Sequence, residues 1–330
     1  MRKLFSNFEQ LPVNLSCKLF DTLIRPIISY NCEIWYMDEY LPLYRAMLRA
    51  TRNNTFCDTL ALQEKSSYEK IHTKYCKTVL GLKKTACNIS TLSELGRLPI
   101  ASFIKTQVMM YFVRINTNNI NPLIKESLNV NKSLHDEGFY TWYTLALNVF
   151  QEFDLDAEDF SNMDKCFHKI KVPFKKEFKK VVHNNYIQKT KDKLSKLTDN
   201  SKLYLYNKIK HDIVLEEYLI KEKNFKNRQL IAKFRTSDHC LQIETGRYIN
   251  IPHQQRLCTT CNILEDEYHF FLNCHLNQQP RNLLINTIEN KCPSFTNMSP
   301  MNRFDYILNP TSDLLSVVCT FIKQSLDLRR

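Results

Sequence analysis

The chain has 330 residues, is 43% apolar and carries 46 Lys+Arg against 34 Asp+Glu, a formal net charge of +12. That length and apolar content suffice for one large or two modest packed domains and exclude a low-complexity chain. With four glycines there is little material for phosphate-cradling loops, and no Gly-x-Gly-x-x-Gly, P-loop or His-Glu-x-x-His occurs.

Residues 1–10 are broken by Ser6, Asn7 and Glu9 and do not read as a signal peptide, so the protein is expected in the nucleus or cytoplasm, not secreted. Its twelve cysteines should then be reduced. A helix is predicted over 15–23, bent or stopped by Pro26. Within 37–64, Leu41, Tyr44, Met47 and Leu48 recur at helical spacing and would bury a stripe. A helix over 66–80 should end at Gly81, and Pro99 should open another that runs to Ile115. The longest apolar run, 108–113, is far too short to span a bilayer, so no membrane is expected as a partner. A turn-rich break over 116–121 precedes a helix at 141–150. The acidic stretch 152–164 is the best candidate for a boundary.

Charge changes abruptly there. Residues 1–164 balance 18 basic against 18 acidic side chains and 236–330 carry 8 against 9, whereas 165–235 hold 20 against 7. Such a concentration is a footprint for a polyanion, nucleic acid first, because Lys and Arg release counterions from phosphates; the plain alternative is a solvated helical face. Phe174, Phe178, Val181 and Val182 make an apolar stripe, with Lys175, Lys176, Lys179 and Lys180 opposite and Pro173 suited to the first turn. Tyr204, Tyr206 and Tyr218 interleave with Lys202, Lys208 and Lys210, either to stack bases or to fill a core.

The run from Arg256 to Cys274 contains Cys258, Cys261, His269 and Cys274, spaced C-x2-C-x7-H-x4-C. Three thiolates and one imidazole fill the tetrahedral shell of a structural zinc and leave no position for water, so one structural Zn2+ and no chemistry is expected there. Asp266 is placed to cap a short helix that starts near Glu267, presents His269 and ends before Cys274. The competing readings are buried thiols with a core histidine, or a redox CxxC pair, neither of which explains the later His and Cys. The tail 313–326 places Leu314, Leu315, Val317, Val318, Phe321, Ile322 and Leu326 on one helical side, which should dock on the body.

The run Leu230-Ile-Ala-Lys-Phe-Arg235-Thr-Ser-Asp-His-Cys-Leu-Gln-Ile-Glu244-Thr-Gly246-Arg247-Tyr248, followed by the cysteine cluster, resembles the C-terminal part of non-LTR (LINE-type) retrotransposon reverse transcriptases. Two earlier blocks look similar in the same order. One is Lys18-Leu-Phe-Asp-Thr-Leu-Ile-Arg-Pro26 through Trp35, like the end of the thumb. The other is Tyr68-Glu-Lys-Ile-His72 through Lys84 with Glu94-Leu-Gly96-Arg97-Leu-Pro99. Residues 37–64 depart from the family pattern.

The resemblance implies thumb-end helices over 1–36, an insertion over 37–64 and a helical connector over 65–164. It further implies a basic nucleic-acid-binding segment over 165–235, a linker strand and zinc knuckle over 236–280, and C-terminal helices over 281–330. The fold expected is mainly α, an irregular multi-helix assembly with a small Cys3His knuckle and at most a few short strands. The family's job for this region is to grip RNA or DNA, with an intact polymerase in trans as a possible partner and no small-molecule substrate. Phosphate contacts are expected from Lys175, Lys176, Lys179, Lys180, Arg235 and Arg247. The chain is not expected to be an enzyme: a polymerase palm needs clustered carboxylates for two metals, no Asp-Asp pair occurs, and palm and fingers would lie upstream. Ser237-Asp238-His239 resembles an endonuclease triplet of such elements, but reads better as a turn ahead of a short strand over 241–243. The competing functional readings are a zinc-stabilised protein-interaction scaffold and a degenerate remnant.

Overall fold

The computed structural model describes residues 11–117, 120–161 and 167–329. Some of the segments above touch residues outside that set: 1–10, Asn118 and Asn119 of the turn-rich break, the end of the acidic stretch, Lys165 and Cys166 at the start of the basic segment, and Arg330. The described residues are mainly helical and form no sheet; two isolated antiparallel bridges join Leu95 to Leu215 and Leu257 to Leu264. The chain divides into two compact units. The first comprises Met1–Leu19, Thr73–Arg97 and Thr190–Arg330, the second Phe20–His72 and Leu98–Lys189. The acidic stretch lies within the second.

The second unit is built around helix Ile100–Ile115, whose Ile104, Val108 and Phe112 are fully buried. Its neighbours are Cys32–Arg52, Trp142–Glu152, opened by a Thr141 capping box, and the long helix Phe167–Ser195. Phe150, on Trp142–Glu152, joins that helix to Ile100–Ile115 and Phe167–Ser195, with ring centroids 5.2 Å from Phe112 and Phe160 and 5.7 Å from Phe178. The same core contains a charged triad. The Lys105 ammonium lies 2.6 Å from Glu152 and Lys189 lies 2.9 Å from it. Burial opposes ionisation of Glu152, but Lys105 and Lys189 outweigh it and hold the carboxyl below its ordinary range.

Several expected elements shift. Pro26 does not stop the first helix: a π-helical turn, Phe20–Ile24, follows Val13–Leu19, and Pro26 sits in the first turn of Arg25–Ile28, where a missing N–H leaves no bond unmade. Helix Cys32–Arg52 buries Cys32, Tyr36, Tyr40 and Leu43, a face set by a start at Cys32; Leu41, Tyr44 and Met47 are half-buried and Leu48 is exposed. Pro173 stands inside Phe167–Ser195, on its exposed side, and not in a first turn.

The first unit packs one large apolar cluster, in which Phe234, Phe270, Phe271, Phe304 and Phe321 are fully buried. Helix Leu315–Asp327 docks on it through Val318, Phe321 and Ile322, with Val317 and Leu326 packed against its edge, as the tail pattern requires. Helix Ser67–Leu80, which contributes to both units, ends at Gly81 with φ +68°, the left-handed C-cap. Gly96 is also left-handed, φ +59°, and a side chain there would strike the backbone of Val214 and Leu215, the latter bridged to the neighbouring Leu95. The strand expected over 241–243 is absent. Helix Gln242–Tyr248 starts there because Glu265 takes up its first amides, the Gln242 N–H at the carboxylate (2.9 Å) and the Ile243 N–H at the backbone carbonyl (3.1 Å).

Candidate metal centre and basic helix

Cys258 and Cys261 ride on a tight turn closed by the Cys258 N–H to the Ile263 carbonyl (2.8 Å) and the Asn262 N–H to the Cys258 carbonyl (2.9 Å). Asn262 is left-handed, φ +54°, a conformation asparagine tolerates. Asp266 then caps the next turn by accepting the His269 N–H at 2.7 Å. From His269 to Asn273 the turn is π-helical, closed by the Cys274 N–H donating to the His269 carbonyl at 2.8 Å. In an α-helix residues five apart point about 140° away from each other. The wider π turn, with its bond five residues long, brings His269 and Cys274 toward a common side.

The four ligand atoms of Cys258, Cys261, His269 and Cys274 all lie within 4.8 Å of one another, an arrangement able to hold a metal ion. The sulfurs of Cys258 and Cys261 are each 3.9 Å from that of Cys274. Tetrahedral Zn–S bonds of about 2.3 Å would separate sulfurs by about 3.8 Å, whereas a disulfide requires about 2.05 Å. Both ring nitrogens of His269 are buried without a hydrogen-bond partner, which a ligand bond to one of them would relieve. Burial also pushes the imidazole below its ordinary value, favouring the neutral form that binds metal.

Two arginines that the spacing did not reveal surround Cys274. Arg329 places Nη2 3.1 Å from its sulfur, and Arg281 donates to its carbonyl at 2.8 Å. The His275 N–H points at the Cys261 sulfur from 3.3 Å. With a divalent ion bound, the donors at the Cys274 and Cys261 sulfurs would offset the excess charge of three thiolate ligands. No local signal announces Arg329, which is 55 residues from Cys274.

The knuckle has more core than its length suggested. Phe270 and Phe271 are 0% exposed and belong to the apolar cluster of the first unit, so the helical half is anchored by packing as well as by its ligand residues.

The predicted phosphate contacts separate into three groups. Lys176, Lys179 and Lys180 are exposed on helix Phe167–Ser195, Lys175 is half-buried, and Phe178, Val182 and Tyr186 are buried on the other side. Phe174 and Val181, read into the same apolar stripe, are half-buried, so the helix is amphipathic with a narrower buried stripe than the spacing implied. Arg235 is a correction: its guanidinium is fully buried, bonded to Glu94 at 2.9 and 3.0 Å, to Glu216 and to the Leu308 carbonyl, and cannot meet a phosphate. Arg247 is intermediate. Its Nε lies 3.3 Å from Glu244, and its side chain remains 29% exposed.

Tyr206 and Tyr218 are core residues. The hydroxyl of Tyr218 donates to Glu94 at 2.7 Å, while half-buried Tyr204 lies under Lys208. Ser237, Asp238 and His239 are buried in a turn. Ser237 donates to Glu267 at 2.6 Å, His239 Nε2 lies 2.8 Å from the same carboxylate, and Asp238 accepts the Lys83 N–H at 2.7 Å. These contacts lock a loop inside the core and leave no access for a nucleic-acid strand.

No family model, no curated protein and no solved structure matches this chain. Among the described residues, no helix is long and apolar enough to cross a membrane.

Proposed function

We propose that the chain is a non-catalytic nucleic-acid-binding polypeptide, similar in its motifs to the C-terminal part of a LINE-type reverse transcriptase, with one structural zinc. Cys258, Cys261, His269 and Cys274 would hold the ion. Zinc closed by four protein ligands supplies local folding energy and leaves no site for a reacting water. The observation that carries the binding role is helix Phe167–Ser195. Its apolar side is spent on the core, and among the described residues the ammonium groups of Lys175, Lys176, Lys179 and Lys180 have neither an ion pair nor a hydrogen bond within the protein. Unpaired charges of one sign on one rigid face suit a phosphate backbone, whose counterions they displace.

The test is the salt dependence of RNA and DNA binding. Changing Lys175, Lys176, Lys179 and Lys180 together to Gln should shallow the log-log salt slope by about 0.9 for each duplex phosphate that is no longer neutralised. An unchanged slope would return the helix to a solvated face and favour a protein-interaction scaffold.

A further inference from the structure

Helices Ile100–Ile115 and Phe167–Ser195 enclose a cleft of about 150 Å³ within the second unit, lined by Glu33, Tyr111, Arg114, Phe167, Lys171 and Lys175 among others. We propose that this cleft is a subsite for one unpaired nucleotide of a single-stranded nucleic acid; the proposal rests on the binding role argued above and gives it an address.

Charge is the first argument. Arg114, Lys171 and Lys175 converge on the cleft against a single carboxylate, Glu33, and among the described residues none of the three cations has an ion pair or hydrogen bond. Lys171 and Lys175 are one helical turn apart and so share a face, while Arg114 arrives from the other helix. Three cations from two elements enclose a phosphate in a way that a row of lysines along one helix does not.

Shape and aromatic content are the second. The volume is well below the roughly 300–1,000 Å³ of a pocket for a complete small ligand, and fits one phosphate or base of a longer chain. Tyr111 is held in place: its ring meets Trp142 edge-on at 5.4 Å and 90°, and the Trp142 indole N–H is fixed on the Glu33 carbonyl at 2.6 Å. An aromatic already immobilised loses little entropy on stacking. A base reaches such a ring only when it is unpaired, which selects a single strand over a duplex. The Glu33 carboxylate adds an acceptor for a base amino group or a 2′-hydroxyl.

The test uses the full chain with an oligouridylate, an oligothymidylate and a duplex of equal length, followed by fluorescence anisotropy. Tyr111→Ala should weaken single-strand binding about tenfold, as expected when one base loses its stacking partner, leave duplex binding unchanged, and be rescued by Tyr111→Phe. Arg114→Gln, at an exposed position that should not disturb folding, should shallow the single-strand salt slope by about 0.7. Equal losses with both oligonucleotides identify phosphate and base as the ligand groups; a greater loss with oligouridylate adds the 2′-hydroxyl. If both variants bind single strands like the parent while Lys176→Gln, Lys179→Gln and Lys180→Gln combined lose affinity, the cleft is not a subsite and the basic helix still is. A parent chain that binds none of the three probes overturns both.

Discussion

Arg235 offers Nε and Nη2 to the two carboxylate oxygens of Glu94, at 2.9 and 3.0 Å, across 141 residues of sequence and with both side chains fully buried. The pair ties Thr73–Arg97 to Thr190–Arg330 inside the first unit. Removing one partner strands the other charge away from water. Glu94→Gln should therefore cost about 3–5 kcal/mol in urea unfolding, and a loss below about 1 kcal/mol would mean that the guanidinium finds another partner. Any Arg235 variant that still folds should keep the parent's nucleic-acid salt slope.

The same pair sets an acid limit. Burial alone would raise the Glu94 pKa, but Arg235 outweighs it and holds the carboxyl below its ordinary range. A free glutamate titrates at about 4.3. The stabilisation is therefore complete above that value and is lost as pH falls through the lower folded pKa. The parent's urea midpoint should drop as the solution is acidified below about pH 4. A Glu94→Gln variant should lack that component, and identical acid profiles for the two would sever the link.

Loss of metal should be partial in its effects. Cys261→Ser and His269→Ala should each take bound zinc from one equivalent to near zero, while substitutions of His253, His275 or Cys292 retain it. Structural zinc contributes on the order of 10–16 kcal/mol to isolated fingers. Here Phe270 and Phe271 are also anchored in the main core. Hydrogen exchange should consequently show amides of 256–266 losing protection on chelation and those of 270–273 keeping most of it. Uniform loss across both halves would assign the whole fold of the knuckle to the ion.

The two faces of Phe167–Ser195 should separate cleanly in mutagenesis. Phe178→Ala empties a fully buried site that touches Phe150 and Phe160, and should cost about 3–5 kcal/mol. Lys179→Gln, on the exposed side, should change stability by no more than about 0.5 kcal/mol. Comparable losses from both would refute the division of labour along this helix.

What could be read from the sequence was what is local. The ligand cluster, the Gly81 cap, the amphipathic faces of 167–195 and 315–327 and the Asp266 cap each depend on residues within a few turns of one another. What could not be read depends on distant partners. Arg235 and Lys175 are both cations beside apolar residues, and only Glu94, far upstream, decides that one is buried. Leu241 to Ile243 carries a short apolar pattern that suits a strand, until Glu265 supplies acceptors to a helix start. The π turn at His269 escapes any search made at a period of 3.6.

Arg329, just beyond helix Leu315–Asp327, reaches the Cys274 sulfur at 3.1 Å and lies over the Phe270 ring at 4.7 Å. This makes the terminal helix and the Cys3His group thermodynamic correspondents. If Cys258, Cys261, His269 and Cys274 hold an ion as proposed, any event that lifts the helix from its seat would remove the Arg329 charge from beside Cys274 and change the affinity for that ion. By linkage, such an ion would change the docking of the helix by the same factor. A partner that captured Leu315–Asp327 would thereby control metal retention without touching a single ligand.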